Sequence, residues 1–189
     1  SYAYDALDRL VVLTQSGSAV SDKRVNFTYN AIGQYEAIDR YRDLAGTQLV
    51  IGTDYSYDSQ NRLTRIDHLN AVDESVAFFD YEYDVASRIT RIADRNGPTT
   101  YAYDDRDQLI LADHADAAFA DESSSYDPNG NRVSSHLHGS EYETGTANRL
   151  LSDGVYDYEY DFEGNMARRT EIATGAYRVF EWDHRNRLV

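Results

Sequence analysis

The feature that most constrains this chain is a short aromatic motif that recurs along its length. In each copy, two aromatic residues separated by one other residue are followed at once by Asp or Asn. Seven copies contain, in order, Tyr2, Tyr4 and Asp5; Phe27, Tyr29 and Asn30; Tyr55, Tyr57 and Asp58; Tyr81, Tyr83 and Asp84; Tyr101, Tyr103 and Asp104; Tyr158, Tyr160 and Asp161; and Phe180, Trp182 and Asp183. Tyr126 and Asp127 belong to a weaker copy that lacks the first aromatic residue. Asn148 lies at the end of a copy that has lost its aromatic residues, which we call the decayed copy. Recurrence of this kind predicts a tandem-repeat architecture.

Each copy of the motif predicts a strand that ends in a turn. Aromatic residues at positions i and i+2 lie on one face of a strand, and the Asp that follows accepts a hydrogen bond from the backbone two residues further on. The third residue after this Asp then needs a positive φ. Eight of the nine residues at this position are Gly, Asn or Asp, which tolerate a positive φ best: Asp8, Gly33, Asn61, Ser87, Asp107, Gly130, Asn148, Gly164 and Asn186.

A returning strand follows each turn. The predicted register places four aromatic residues opposite aliphatic ones: Tyr57 faces Leu63, Tyr83 faces Ile89, Tyr103 faces Leu109, and Trp182 faces Leu188. Such cross-strand pairs contribute only roughly 0.2–1 kcal/mol each, so each hairpin needs neighbouring hairpins to be stable. We therefore predict an all-β fold of tandem antiparallel hairpins. The one segment with a helical pattern is the Ala-rich connector 112–120, which suggests a short helical turn.

Composition excludes several kinds of partner. The chain has 33 acidic against 18 basic residues, a net charge of −15, which repels nucleic-acid phosphates and anionic lipid headgroups. It has no cysteine, so disulfides and thiol chemistry are excluded. No apolar stretch approaches the ~20 residues of a membrane-spanning helix. We expect no nucleic-acid partner and no membrane insertion of this segment.

The repeats run through the whole chain without a linker. We therefore expect residues 1–189 to form a single repetitive domain. Both ends fall inside a copy of the motif, which predicts that the chain is an excerpt of a much longer protein. An end of this kind exposes a strand edge, and such an edge favours edge-to-edge self-association.

The pattern Tyr-x-Tyr-Asp-x-x-(Gly/Asn)-Arg-Leu resembles the repeat of the Rhs/YD-repeat family, and residues 126–132 and 160–165 resemble its other common form. The resemblance covers essentially the whole chain. It implies a strip of antiparallel hairpins that spirals into a hollow shell. Such shells enclose a C-terminal toxin in bacterial Rhs proteins and in the C component of insecticidal toxin complexes, and teneurins carry a related shell at the cell surface.

The resemblance implies a non-enzymatic scaffold, namely a segment of a YD-repeat β-shell in a large secreted or cell-surface protein. Its partners would be the remainder of its own polypeptide and a toxin payload, with no cofactor. The alternative function is an adhesive module that binds a glycan or a protein through exposed aromatic rows.

Two patterns suggest metal binding, but each is incomplete. The segment from Asp127 to Asn131 alternates oxygen-bearing side chains as a calcium loop does, yet Arg132 stands where such a loop needs glycine. His136 and His138 lie two residues apart on a predicted strand, but no third ligand is identifiable. We expect no metal site and no catalytic residue, and we interpret the repeated Asp residues as turn residues.

Overall fold

The computed structural model describes residues 1–189 as an all-β protein, as predicted. Its strands are β1 (Tyr2–Tyr4), β2 (Leu10–Gly17), β3 (Val20–Tyr29), β4 (Tyr35–Tyr41), β5 (Leu49–Tyr57), β6 (Leu63–Asn70), β7 (Ser75–Tyr83), β8 (Ile89–Asp94), β9 (Gly97–Tyr103), β10 (Leu109–His114), β11 (Glu122–Tyr126), β12 (Arg132–Ser135), β13 (Glu143–Thr144), β14 (Leu150–Ser152), β15 (Tyr156–Tyr160), β16 (Met166–Glu171) and β17 (Tyr177–Val179). A tight turn, Thr146–Asn148, precedes β14, and Ala147 and Asn148 in it have φ angles of 60° and 55°. No helix is long and apolar enough to cross a bilayer.

The chain divides into two compact units, Ser1–Thr100 and Tyr101–Val189. In the first unit, each strand from β1 to β8 pairs antiparallel with the strand that follows it. In the second unit, β10, β11 and β12 pair in the same way, and β13 to β17 form a five-stranded sheet, again in chain order. Each paired strand therefore lies beside its neighbour in the chain, as tandem hairpins require.

Three of the four predicted aromatic–aliphatic pairs are present in the register of the strands. Tyr57 lies opposite Leu63, Tyr83 opposite Ile89, and Trp182 opposite Leu188. The pairing shifts by one residue just before Tyr57 and again just before Tyr83. This shift is the bulge expected where a three-residue turn closes a hairpin.

The most buried side chain of the first unit is polar. Thr53 is fully buried, and it lies in a cross-strand row between Ile38 on β4 and His68 on β6. Its hydroxyl accepts a hydrogen bond from Arg40 Nη1 at 2.8 Å and lies 3.0 Å from His68 Nδ1. The buried hydroxyl is tolerated because it is bonded on both sides.

The Ala-rich connector is not helical, so the prediction of a helical turn there is wrong. Its first part continues strand β10 to His114. The residues that follow form a turn in which Phe119 N–H donates to the Asp116 carbonyl at 3.0 Å. Asp116 Oδ1 also accepts from Ala118 N–H at 2.9 Å. This side-chain bond offers the backbone an alternative to the helix.

The predicted strand that carries the two histidines is also absent. Strand β12 ends at Ser135, and a turn follows in which Ser135 N–H donates to the Gly139 carbonyl at 2.8 Å. His136 and His138 lie in this turn, so the alternation that would place them on one face of a strand does not apply.

Candidate functional site

The Asp and Asn residues of the motif begin a series of turns, which we call the turn row. Each turn is counted over five residues, namely the three residues of the loop and one residue on either side. The turns begin at Asp5, Asn30, Asp58, Asp84, Asp104, Asp127, Gly145, Asp161 and Asp183, and their residues are numbered here as positions 1 to 5. In every turn the position 1 N–H donates to the position 5 carbonyl at 2.8–3.0 Å. In all but the Gly145 turn, the position 4 N–H also donates to the position 1 carbonyl. Eight of the nine turns thus share one backbone geometry.

The position 1 carboxylate binds three donors of its own turn. In the third turn, Asp58 Oδ1 accepts from Gln60 N–H and from Arg62 N–H, both at 2.9 Å. Asp58 Oδ2 accepts from Arg62 Nε at 2.7 Å. The sequence predicts the first of these bonds, whereas the two bonds from position 5 are additional. Position 5 is thereby tied to position 1 through both its backbone and its side chain.

These bonds favour the ionised carboxylate. The hydrogen bond from the position 5 N–H is the largest cause that lowers the pKa of Asp5, Asp58 and Asp84, and the Arg side chain at position 5 adds to it. At Asp127 and Asp161 the side-chain amide of position 5 is the largest cause of the lowered pKa. The repeated Asp residues therefore act as turn residues in each of these copies.

Position 4 has a positive φ in all nine turns. The angles are 56° at Asp8, 88° at Gly33, 63° at Asn61, 64° at Ser87, 63° at Asp107, 87° at Gly130, 55° at Asn148, 92° at Gly164 and 56° at Asn186. The predicted turn register is confirmed at these positions.

The decayed copy keeps its hairpin but has Gly145 at position 1. Thr144 still lies opposite Leu150, and Gly145 N–H still donates to the Arg149 carbonyl at 2.8 Å. A Cβ on Gly145 would lie 2.7 Å from Leu151 Cδ1. The Leu151 side chain thus occupies the space beside Gly145 that a side chain at position 1 would need.

In six copies, the second aromatic residue of the motif joins its repeat to the one before it. Its polar tip donates to a backbone carbonyl near the start of the preceding returning strand: Tyr29 to Leu10, Tyr57 to Tyr35, Tyr83 to Leu63, Tyr126 to Leu109, Tyr160 to Leu150 and Trp182 to Met166, at 2.7–3.1 Å. We call this series the aromatic ladder. Each bond lies beyond the last paired residues of the two strands, so it extends their pairing.

The aromatic ladder has a signal in the sequence, although it was not predicted. Phe occurs at the first aromatic position, in Phe27 and Phe180, but the second position always holds Tyr or Trp. Both of these side chains carry a hydrogen-bond donor, which Phe lacks. The partner is a backbone carbonyl of another repeat, and the pattern within one copy does not identify it.

The position 5 arginines pack against the next repeat. The Arg9 guanidinium lies 4.6 Å from the centre of the Tyr29 ring, and the Arg62 guanidinium lies 4.7 Å from that of Tyr83. Both rings belong to the aromatic ladder. An Arg above an aromatic ring contributes about 0.5–1 kcal/mol at exposed sites. One side chain therefore closes its own turn and stabilises the following one.

The structure contains a further turn of the same form that was not predicted from the sequence. Asn70 Oδ1 accepts from Val72 N–H and Glu74 N–H, both at 3.0 Å, and Asp73 has a φ of 59°. This turn connects β6 to β7 at the opposite end of the hairpin. No aromatic pair precedes Asn70, but the spacing from Asn to a residue that tolerates positive φ was present in the sequence.

No group of three or more His, Asp or Glu side chains is arranged to hold a metal ion. Asp127 instead bonds Asn129 N–H, Asn131 N–H and Asn131 Nδ2, each at 2.8 Å. His138 Nδ1 lies 3.6 Å from Asp153 Oδ2 and 3.4 Å from the Tyr142 hydroxyl. The Asp127 bonds lie within its own turn, and the His138 contacts join the turn after β12 to Tyr142 and Asp153.

The fold and the repeated turns define an antiparallel hairpin-repeat protein. A family model described as the teneurin YD-shell matches residues 69–189. The chain therefore belongs to the YD-shell family, and the resemblance to the Rhs/YD-repeat family is confirmed.

Comparison with solved structures gives matches to much longer chains. They are a Tc holotoxin pore of Photorhabdus luminescens with a mutated TccC3, a TcdB2–TccC3–Cdc42 crystal structure, and TcdB2–TccC3 without its hypervariable C-terminal region. Identities are 18%, 16% and 17%, with TM-scores of 0.44, 0.45 and 0.46. The matches cover 99%, 100% and 100% of this chain but only 13% of each longer chain. A comparison with the curated proteins gives no match.

Proposed function

We propose that this chain is a non-enzymatic wall segment of a YD-repeat β-shell, within a large secreted or cell-surface protein. Membership of the YD-shell family supports the structural role. The observation that carries the proposal is the aromatic ladder, because it repeats one contact between each hairpin and its predecessor. A contact of this kind extends a strip of hairpins without requiring a central core.

The burial pattern supports a wall rather than a globule. The buried apolar residues are Ile38, Ala93 and Ala112, of which two are alanines. A globular domain of this length normally buries a much larger set of Leu, Ile, Val and Phe. Nearest-neighbour contacts and turn hydrogen bonds therefore provide most of the specific structure.

We further propose that the intact protein is longer and that its shell encloses a C-terminal toxin. The test is limited proteolysis of the full-length protein, with the segment that follows the repeats followed by mass spectrometry. The expected result is that this segment resists protease until the repeat region is unfolded by denaturant. Cleavage of that segment at the rate of an unfolded peptide, while the repeats stay intact, would contradict enclosure.

An adhesive role is the second candidate, and exposed aromatic rings favour it. Tyr2, Tyr4, Tyr35 and Tyr177 are 67%, 59%, 42% and 63% exposed. Exposed tyrosines provide flat surfaces for stacking on sugar rings or partner side chains. A glycan array probed with the chain and with a Tyr35→Ala, Tyr177→Ala variant tests this role. Binding to one glycan class that the variant loses would support adhesion over a purely structural function.

A further inference from the structure

Consecutive turns of the turn row contact each other through two fixed positions. Position 5 of one turn reaches position 4 of the next turn. Within the two units the pairs are Arg9–Gly33, Gln34–Asn61, Arg62–Ser87, Gln108–Gly130, Asn131–Asn148, Arg149–Gly164 and Asn165–Asn186. We call these the turn pairs. Each pair joins one repeat to its successor.

The long Arg side chains at position 5 contact small residues at position 4 of the next turn. Wherever position 5 is Arg, position 4 of the next turn within the same unit is Gly or Ser. Arg62 Nη1 donates to Ser87 Oγ at 3.2 Å and to the Asp84 carbonyl at 3.0 Å. Arg149 Nη2 lies 3.3 Å from the point where a Cβ on Gly164 would stand. A side chain at position 164 would therefore crowd the Arg149 guanidinium, which would have to shift by a few tenths of an ångström.

Where position 5 is Asn, its short side chain contacts the side-chain amide of an Asn at position 4 of the next turn. Asn131 Nδ2 donates to Asn148 Oδ1 at 3.2 Å, and Asn165 Nδ2 donates to Asn186 Oδ1 at 3.0 Å. In both pairs, position 5 also donates to its own position 1 carboxylate. An Asn is too short to fill the space beside a glycine, so the amide of the partner Asn provides the contact.

Gln is intermediate in length and occurs with both kinds of partner. Gln34 Nε2 donates to the Asn61 backbone carbonyl at 2.9 Å. Gln108 Nε2 lies 3.2 Å from the Cβ position of Gly130. The turn pairs are thus graded by size, with Arg beside Gly or Ser, Asn beside Asn, and Gln beside either Asn or Gly.

We propose that the turn pairs specify which repeat packs after which. The hairpins are otherwise alike in their turns and their aromatic ladder, so a repeat could dock on the wrong neighbour with similar backbone contacts. A mismatched pair either crowds the two side chains, as Asn at position 164 would crowd Arg149, or leaves a gap and an unpaired amide. Penalties against the wrong neighbour provide specificity that attractive contacts alone do not. This inference goes beyond the role of the chain in a shell, because it concerns recognition between repeats.

The Arg149–Gly164 pair provides a direct test, because Gly145 at position 1 leaves Arg149 without a carboxylate in its own turn. The variants are Gly164→Asn, Arg149→Asn, and the double variant, which recreates the Asn–Asn pair. Gly175→Asn is the matched control, since Gly175 also has a positive φ (71°) but has nothing within 4 Å of its Cβ position. Midpoints of thermal unfolding of the full chain are measured by circular dichroism.

We expect Gly164→Asn to lower the midpoint by about 3 °C more than the control does. The double variant should recover at least half of this loss, because the amide of Asn at position 149 fits an Asn at position 164. Equal midpoints for Gly164→Asn and Gly175→Asn would overturn the proposal, as would losses that simply add in the double variant.

Two further variants, at the Asn131–Asn148 turn pair, test the proposal if the Gly164→Asn protein does not fold. Asn131→Arg alone places an Arg against Asn148 and should lower the midpoint. Adding Asn148→Gly creates the Arg–Gly pair and should restore it, since the new Arg can still bond Asp127 as Arg62 bonds Asp58. Failure of Asn148→Gly to restore the midpoint would overturn the proposal.

Discussion

The Tyr83 hydroxyl donates a 2.7 Å hydrogen bond to the backbone carbonyl of Leu63, the residue that faces Tyr57 in the preceding repeat. The aromatic residue of one repeat is thus bonded to the backbone partner of the aromatic residue before it. The two hairpins are tied together at a point that the main-chain register of β6 and β7 does not reach, since its first pair is Arg65 with Asp80.

Tyr83→Phe should therefore destabilise the chain although the ring is retained. Loss of one such bond, with the carbonyl left to water, corresponds to about 1 kcal/mol. Chemical denaturation of both proteins measures the free energy of unfolding. Tyr2→Phe is the control, because Tyr2 is 67% exposed and should change stability little. An equal effect of the two substitutions would show that the aromatic ladder contributes nothing measurable.

Asn61→Ala should cost stability through the backbone rather than through a lost contact. Asn61 has a φ of 63°, and the left-handed region costs an ordinary L-residue roughly 1–2 kcal/mol. Asn61→Gly removes the same side chain but has no such cost, so it should unfold close to the parent protein. If the alanine and glycine variants have equal midpoints, the positive φ is not the source of the effect.

The turns were predictable from sequence because their chemistry is local. Asp58 and Asn61 are fixed by contacts within five residues, so one copy of the motif already contains the information. The bond from Tyr83 to Leu63 joins two repeats, and its acceptor is a backbone atom that no side-chain pattern marks. The burial of Thr53 was not predictable either, because it depends on Arg40 and His68 from the two neighbouring strands.

Acid should weaken the turn row. The pKa of Asp58 is lowered in the folded chain, first by the hydrogen bond from Arg62 N–H and then by the Arg62 side chain. A carboxyl with a lowered pKa contributes stability above its unfolded pKa of about 3.9, and this contribution is lost as the pH falls through the folded value. Melting midpoints should therefore fall below about pH 4.

The variant Asp58→Asn tests how much of this loss of stability in acid comes from the charge of the Asp58 carboxylate. Asn keeps an oxygen for the two backbone donors, as Asn30 does in its own turn at 3.0–3.1 Å. It should lower the midpoint at pH 7 and approach the parent at acid pH, where the parent carboxylate is protonated. Asp58→Ala should lose stability at both pH values. A difference between parent and Asp58→Asn that is unchanged by pH would rule out the carboxylate charge.

Asp54 should have the opposite pH dependence. It lies directly opposite Asp67 on the neighbouring strand, and Arg65 is already bonded to Asp67 at 2.8 Å and to Asp80 at 2.7 Å. Partial desolvation is the largest cause that raises the pKa of Asp54, and repulsion by Asp39 and Asp67 raises it further. Like charges opposite each other in a sheet are destabilising.

A carboxyl with a raised pKa contributes stability below its unfolded pKa, and this contribution is lost as the pH rises through the folded value. Asp54→Asn should therefore raise the melting midpoint at pH 7 and have little effect near pH 3, where Asp54 is protonated in both states. Asp22→Asn is the control, because it changes the net charge equally on an exposed position of β3. If Asp22→Asn stabilises the chain as much as Asp54→Asn at pH 7, relief of the overall charge of −15 explains the gain. A rise in the midpoint that occurs only for Asp54→Asn would instead show that Asp54 on β5 is repelled by Asp39 and Asp67 on the two neighbouring strands.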